Sequence, residues 1–337
     1  MIVLAAADKF KGTATAAQVC AAIGHACWEL GIDCIERPMA DGGEGTLDVL
    51  GGPNRVTTVT GPLGDPVDAQ WRLHKGVAVI EMARASGLML VGGATGNDAM
   101  AATTQGTGEL IDTALDAGAK KIIVCLGGSA TTDGGLGAVR AIHAPARLKA
   151  VDFLVACDVE TSFVDAAQVF APQKGATAAQ VDLLRKRLER LQQMYERDFG
   201  VDVSSLVGAG AAGGLAGGLA ALGATLVNGF DLVAEEVDLY DTINNVDFVI
   251  TGEGFVDEQS FDGKVVGSVC DLAVDAGIPV ATICGEIDEE LPEDLRQRTN
   301  ASSLCALFGE DRAMSQPLQL IEEVATTILR DYTAKTR

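Results

Sequence analysis

The sequence is short of positive charge. Its 25 Lys and Arg face 47 Asp and Glu, a formal net charge of −22 over 337 residues. That balance repels phosphate backbones and acidic membrane surfaces, so neither nucleic acid nor membrane is an expected partner. Any anionic ligand must be met by a local gathering of Lys, Arg and amide dipoles. Histidine is scarcer still. His25, His74 and His143 are the whole supply, and none stands at ligand spacing from another, so no zinc centre is expected. Eight cysteines (Cys20, Cys27, Cys34, Cys125, Cys157, Cys270, Cys284, Cys305) are scattered without a Cys-x-x-Cys pair, mostly in apolar runs. Reduced thiols pack there as small hydrophobes, which predicts a reducing, cytoplasmic setting over a disulfide framework. No basic stretch precedes the strand-like residues 1–6, so no secretory signal is expected.

Several catalytic signatures are missing too. There is no G-x-x-x-x-G-K-[ST], since Gly263-Lys264 is followed by Val265. Asp198-Phe199-Gly200 has no His-Arg-Asp loop or Ala-Pro-Glu with it. Walker-type and protein-kinase-type phosphotransferases are thereby excluded. Gly-x-Ser-x-Gly is absent, which leaves an α/β-hydrolase nucleophile without support. Gly208-Ala209-Gly210-Ala211-Ala212-Gly213 matches the dinucleotide fingerprint, but residues 202–207 are too short and polar for the buried strand it requires. A close-packed Gly/Ala helix is expected instead. Residues 203–230 carry no charge, yet Ala and Gly dominate them, and a membrane span is not expected.

What is present describes a globular protein with ample core, 48% hydrophobic and 21% charged. Forty glycines fall in clusters, as backbone-lined ligand loops would. Strands at 1–6 and 33–37 alternate with helices at 15–30 and near Leu47, a β-α-β-α pattern that predicts a parallel sheet. Residues 56–60, 67–73 and 77–82, separated by Gly-Pro and Lys-Gly turns, read as antiparallel strands opening a second domain. A helix is expected over 99–117, strands at 122–126 and 151–155, and a long amphipathic helix at 178–197. The end returns to β-α-β-α: strand 248–251, helix 266–276, strands 280–284 and 303–308, and helix 318–331. One α/β domain built from both termini, with the middle inserted, follows from that symmetry.

The central stretch is the apolar run Ile122 to Leu126, then Gly127-Gly128-Ser129-Ala130-Thr131-Thr132-Asp133-Gly134-Gly135. Glycines after a buried strand let the backbone approach an anion with its amides. Four further loops share this composition: 8–13, 41–46, 157–177 and 252–264. Most follow apolar runs and would lie near the carboxyl edge of a parallel sheet, where ligands bind. They offer Lys9, Lys11, Lys174 and Lys264 beside Asp8, Asp41, Glu44, Asp133, Asp158, Glu253 and Asp257. Lysines, carboxylates and glycine turns can together hold a polyphosphate with Mg²⁺ and orient a hydroxyl.

These motifs resemble those of the type-1 glycerate kinase family. They include Met39-Ala40-Asp41-Gly42-Gly43-Glu44-Gly45-Thr46, Gly106-Thr107-Gly108-Glu109-Leu110-Ile111, Leu126-Gly127-Gly128-Ser129-Ala130-Thr131, Pro172-Gln173-Lys174-Gly175-Ala176-Thr177 and Ile250-Thr251-Gly252-Glu253-Gly254. They run in family order along nearly the whole chain. The resemblance implies an α/β fold of two domains. One is flavodoxin-like and discontinuous (1–60 with 238–337); the other is inserted (61–237) with a mixed sheet, and the active site lies in the cleft between them. It implies phosphorylation of D-glycerate by ATP with Mg²⁺, the 2-phosphate favoured over the 3-phosphate, and leaves room for a homodimer. On that reading Asp158 is the base, with Lys11 and Lys174 catalytic. Asp8, Lys11, Asp41, Gly42, Gly43, Glu44 and Arg84 hold the substrate. Gly127, Gly128, Ser129, Thr131, Gly134, Glu253 and Lys264 hold ATP, and Asp133 or Asp257 the metal. The chain departs from the family in being shorter between Ile142 and Val151, and in Asp262 and Thr132, where His and Asn are common. A non-catalytic binder of small anions and a nicotinamide-dependent dehydrogenase are the other readings.

Overall fold

β1 (Ile2–Ala5) is an unbroken apolar run, as an interior strand of a parallel sheet needs to be. The computed structural model describes residues 1–336 and continues with a helix at Ala16–Glu29. Thr15 and Gln18 open that helix with a reciprocal capping box. β2 (Asp33–Glu36) follows. The chain then builds β3 (Arg55–Thr60), β4 (Pro66–His74), β5 (Val77–Glu81), β6 (Lys121–Cys125), β7 (Asp152–Cys157) and β8 (Thr225–Asn228). It ends with β9 (Phe248–Val256), β10 (Val280–Ile287) and β11 (Ala301–Ser303).

Two units result: Met1–Asp41 with the chain from Phe230 onward, and Gly42–Gly229. In the first, all strands are parallel in the order β11-β10-β9-β1-β2. Counted within the unit, that is the doubly wound order 2-1-3-4-5 of flavodoxin-like folds. Helices Ala16–Glu29 and Pro317–Thr336 pack together over Val3, Ala5, Phe248 and Ile250, contributing Val19, Ile23, Leu320 and Ile321. The second unit holds a mixed sheet, β3-β4-β5-β6-β7-β8, antiparallel through β5 and parallel beyond it. Its core gathers Trp71, Ile80, Ile122, Val124 and Val155 beneath Leu110, Ile111 and Leu215.

Local expectations fail at three places. Residues 303–308 are not a strand: Ser303 ends β11, its Oγ accepts from Ala306 N, and Leu304–Phe308 is a helix. The helix expected from residue 99 starts at Gln105, because Thr104 is held by Asp133 from another segment. β9 does not stop at Thr251 but carries Gly252, Glu253 and Gly254 within the strand. The uncharged 203–230 stretch holds a 3-10 turn, the helix Ala211–Ala221 and β8. Among the described residues no helix is long and apolar enough to cross a membrane. No strand leads into 208–213, and Ala212, Gly213 and Gly214 interrupt that helix in left-handed conformation. The stretch is close-packed: a Cβ on Gly213 would lie 2.0 Å from Thr131 O, and one on Gly217 2.4 Å from Phe163.

Candidate active site

In the second unit the carboxyl end of β6 passes into the glycine turn. Leu88 N donates to Gly128 O (2.8 Å) and Ala130 N to Ser86 O (3.0 Å), an antiparallel bridge that fixes the turn from one side. Among the described residues the amides of Gly127, Gly128 and Ser129 donate to no protein acceptor. Successive N–H groups of this kind form an anion-binding concavity. A Cβ at position 127 would lie 3.2 Å from Gly43 Cα and 3.3 Å from Glu44 N, so glycine lets the turn lie close against the 42–46 loop.

Lys174 supports the turn from beneath. It is 3% exposed, and its Nζ donates to Ser129 Oγ (2.7 Å) and Thr131 O (2.6 Å). Burial holds its pKa down to about 7, with Asp133 acting the other way. Asn97, which the sequence did not single out, ties the segment together by donating to Ala130 O and Lys174 O.

Asp133 is not placed as a metal ligand. Its Oδ2 accepts from Thr104 N, Thr104 Oγ1 and Gly137 N, and its Oδ1 from Gly135 N. Those bonds cap two helix starts and leave the carboxylate little capacity for a cation. Gly134 is likewise committed, its N–H donating to Gly213 O (3.0 Å). Arg84 is engaged by Glu81 (3.0 Å), Gln70 (3.2 Å) and Asp48 (3.6 Å) rather than held open for a substrate carboxylate. Glu81, another residue missed in sequence, is 2% exposed and accepts from Gly45 N (2.8 Å) and Leu47 N (2.9 Å). It therefore sets the shape of the 42–46 loop, which also carries Gly42, Gly43 and the exposed Glu44. Asp158 directly follows β7 and is half-buried.

In the first unit, ligands are expected at the switch point of the strand order, beyond the carboxyl ends of β1 and β9. Asp8 stands beyond β1, and Glu253, within β9, is near enough to feel its charge. Asp8 N donates to Gly252 O (2.8 Å), which joins the two strand ends. The Asp8 carboxylate accepts from Lys9 N at 2.6 Å, with the Lys9 ammonium at 3.6 Å. Burial lifts its pKa to about 6, with Lys9 working against this and Asp41 adding to it. Glu253 is lifted to about 7, first by burial and then by Asp8 and Asp257, against a Ser260 hydrogen bond and the Lys264 charge. Its Oε1 is buried without a hydrogen-bond partner. Asp257 caps the turn Glu258–Phe261 through Oδ1. Lys264 precedes the helix Val265–Asp275, and Lys11 is exposed next to Gly12 (φ +82°). Neither lysine makes a hydrogen bond or ion pair among the described residues, so both ammonium groups are available to an anion.

The model of the glycerate kinase family matches residues 3–145 and 142–333. The chain belongs to the glycerate kinase family. A glycerate kinase of Halalkalibacterium halodurans is 37% identical over 97% of both chains. The glycerate 2-kinase of Escherichia coli is 38% identical over 86% of this chain and 87% of its own. A crystal structure from Salmonella typhimurium LT2, provisionally designated glycerate kinase 2, superposes with a TM-score of 0.86 at 34% identity, covering 100% and 99% of the two chains. The two stretches matched by the glycerate kinase family model overlap at 142–145. His143 pairs there with Asp112 (2.8 Å) and Arg147 with Asp116 (2.7 Å). The glycine turn keeps all of the supports described above.

Proposed function

We propose that the protein transfers the γ-phosphoryl group of ATP to a hydroxyl of D-glycerate, giving 2-phosphoglycerate. The row of unpartnered amides at 127–129 is the observation that carries this reading. In a chain of net charge −22, it is a ready seat for phosphate oxygens. Family membership supports the substrate, and the name of the Escherichia coli relative supports the 2-phosphate.

Phosphoryl transfer asks for positioning and charge compensation. The amides of Gly127, Gly128 and Ser129 take the ATP phosphates. Lys174 is a positioning residue, since it holds the turn from within. Lys11 anchors the glycerate carboxylate. An all-oxygen donor set with an orphaned acceptor suits a hard divalent cation, and Glu253 Oε1 is such an acceptor. Glu253 and Asp257 would hold Mg²⁺, which when bound offsets the charge of the nucleotide phosphates. For the proton acceptor we prefer Asp8 to Asp158. Burial brings Asp8 to about 6, near the range in which a base is both available and effective. The eight free cysteines fit a reducing cytoplasm.

ADP release should be strictly dependent on D-glycerate, and a phosphorus NMR spectrum of the product should show the 2-phosphate. ATP left unconsumed in the presence of D-glycerate and Mg²⁺ would refute the proposal.

A further inference from the structure

Leu88–Val91 forms one 3-10 turn of consecutive apolar residues, Leu-Met-Leu-Val, and none of them is buried. Met89 is 83% exposed and Leu90 44%. Met89 and Leu90 add little to the core, and apolar side chains exposed beside a cavity offer an apolar surface to a ligand. The turn is fastened to the glycine loop, because Leu88 N donates to Gly128 O and Gly87 bridges to Ser129. Met89, Leu90, Val56 and Gly128 line one cavity of about 450 Å³ in the second unit. That volume lies in the range of small-molecule pockets.

Resting on the nucleotide reading above, we infer that this apolar turn is the seat of the nucleotide's purine ring. The amides of residues 127–129 then take the phosphates at the same cavity's glycine end. Charge decides between the two substrates of the proposed reaction. Glu44, Asp68, Glu81 and Arg84 also line the cavity; Arg84 is paired with Glu81 (3.0 Å), so Glu44 and Asp68 leave the lining net negative, which repels a small carboxylate such as glycerate and tolerates a neutral ring. Glycerate has no apolar face to set against Leu90, whereas a purine offers two. The Met89 thioether is suited to an aromatic face, and its unbranched side chain adapts to the ring. Gln70, on β4, brings an amide to the cavity wall for the ring's polar edge.

The test is calorimetric titration of Mg-ADP and of inorganic triphosphate into wild type, Met89→Asp and Leu90→Asp. Both positions are exposed, and circular dichroism will verify that the variants fold. Each variant should bind Mg-ADP at least tenfold more weakly and triphosphate within twofold of wild type. Mg-ADP binding within twofold of wild type in both variants, or an equal loss for triphosphate, would overturn the inference. So would a wild type that binds no Mg-ADP, or a change in oligomeric state in place of the change in ADP affinity. D-Glycerate turnover measured alongside separates this outcome from the function. Turnover with unaltered ADP binding in the variants removes the purine seat alone. Altered ADP binding without wild-type turnover removes the function alone.

Discussion

Lys174→Met tests the buried-lysine argument through the pH dependence of stability. Lys174 is 3% exposed, and its pKa is held at about 7 against an ordinary value of 10.5. A neutral amine has two N–H donors, and the structure offers two acceptors, Ser129 Oγ and Thr131 O. Between pH 7 and about 10.4 the unfolded chain therefore holds a proton that the native state has released. Stability then rises with pH across this window, by up to about 1.4 kcal/mol per unit. Below pH 7 both states carry the proton, and the native state bears the full burial cost, on the order of 4 kcal/mol.

Methionine fills the same space without that cost. It also leaves Thr131 O without its partner, a loss of about 1–3 kcal/mol. The relief outweighs the loss at pH 6.5, where the variant should be the more stable by about 2 kcal/mol. By pH 9.5 the wild type has recovered about 3 kcal/mol of the burial cost, so the order reverses and the variant should be the less stable by about 1 kcal/mol. Guanidinium unfolding at pH 6.5, 8 and 9.5 in a Trp28→Phe background, followed by the fluorescence of Trp71, measures this. Trp71 is 1% exposed in the core of the same unit and reports its unfolding. Parallel stability curves for wild type and variant would mean that the ammonium is not desolvated, and the reasoning would fall.

Three further outcomes follow from the same contacts. Asp8→Asn should lower kcat by ~10²–10⁴-fold and abolish an acid limb near pH 6 in the rate profile, since only the ionised carboxylate accepts a proton. An unchanged limb would assign the base elsewhere. Glu81→Gln puts an amide donor against Arg84 and breaks an ion pair whose carboxylate is buried and whose guanidinium is one-third exposed, at a cost of about 2 kcal/mol by denaturation; a loss below about 1 kcal/mol would show that the 42–46 loop has other support. Gly213→Ala must place a Cβ 2.0 Å from Thr131 O at φ +70°, so it should cost more than about 2 kcal/mol and weaken nucleotide binding. Wild-type ADP affinity in this variant would uncouple the helix from the turn.

The strands of the first unit were legible because apolar runs of β-branched residues end in glycine or polar loops, and their parallel order follows from alternation with helices. Helix starts with a local cap, such as Thr15 with Gln18, were legible too. Thr104 was not, because its capping partner Asp133 comes from 29 residues away. β8 escaped notice as a four-residue edge strand of unburied residues behind a Gly/Ala stretch. Residues 303–308 are a short apolar run, for which strand and helix have the same appearance; the Ser303 cap was the overlooked sign. In the candidate site, the residue types and their loops could be read, but their division of labour could not. Whether a carboxylate has acceptor capacity left depends on amides that only the folded chain brings to it.

That dependence gives a physical criterion for sorting candidate ligand groups. Asp133 and Glu253 look alike in sequence, each a lone acid beside glycines at a strand end. Amides and a hydroxyl surround Asp133, which lowers the cost of its burial and commits it to the fold. Glu253 is buried with one oxygen unpartnered and further acids nearby, an arrangement that disfavours the charged apo state. Replacing Glu253 with Gln should therefore stabilise the apo protein above pH 7, where the native carboxyl is ionised, and give no gain near pH 4, where both states hold the proton. A cation at this site would offset the same penalty, so Mg²⁺ should raise the melting temperature of wild type more than that of the variant. Equal shifts in the two proteins would place the metal elsewhere. Strain that a ligand relieves is what distinguishes a binding carboxylate from a structural one here.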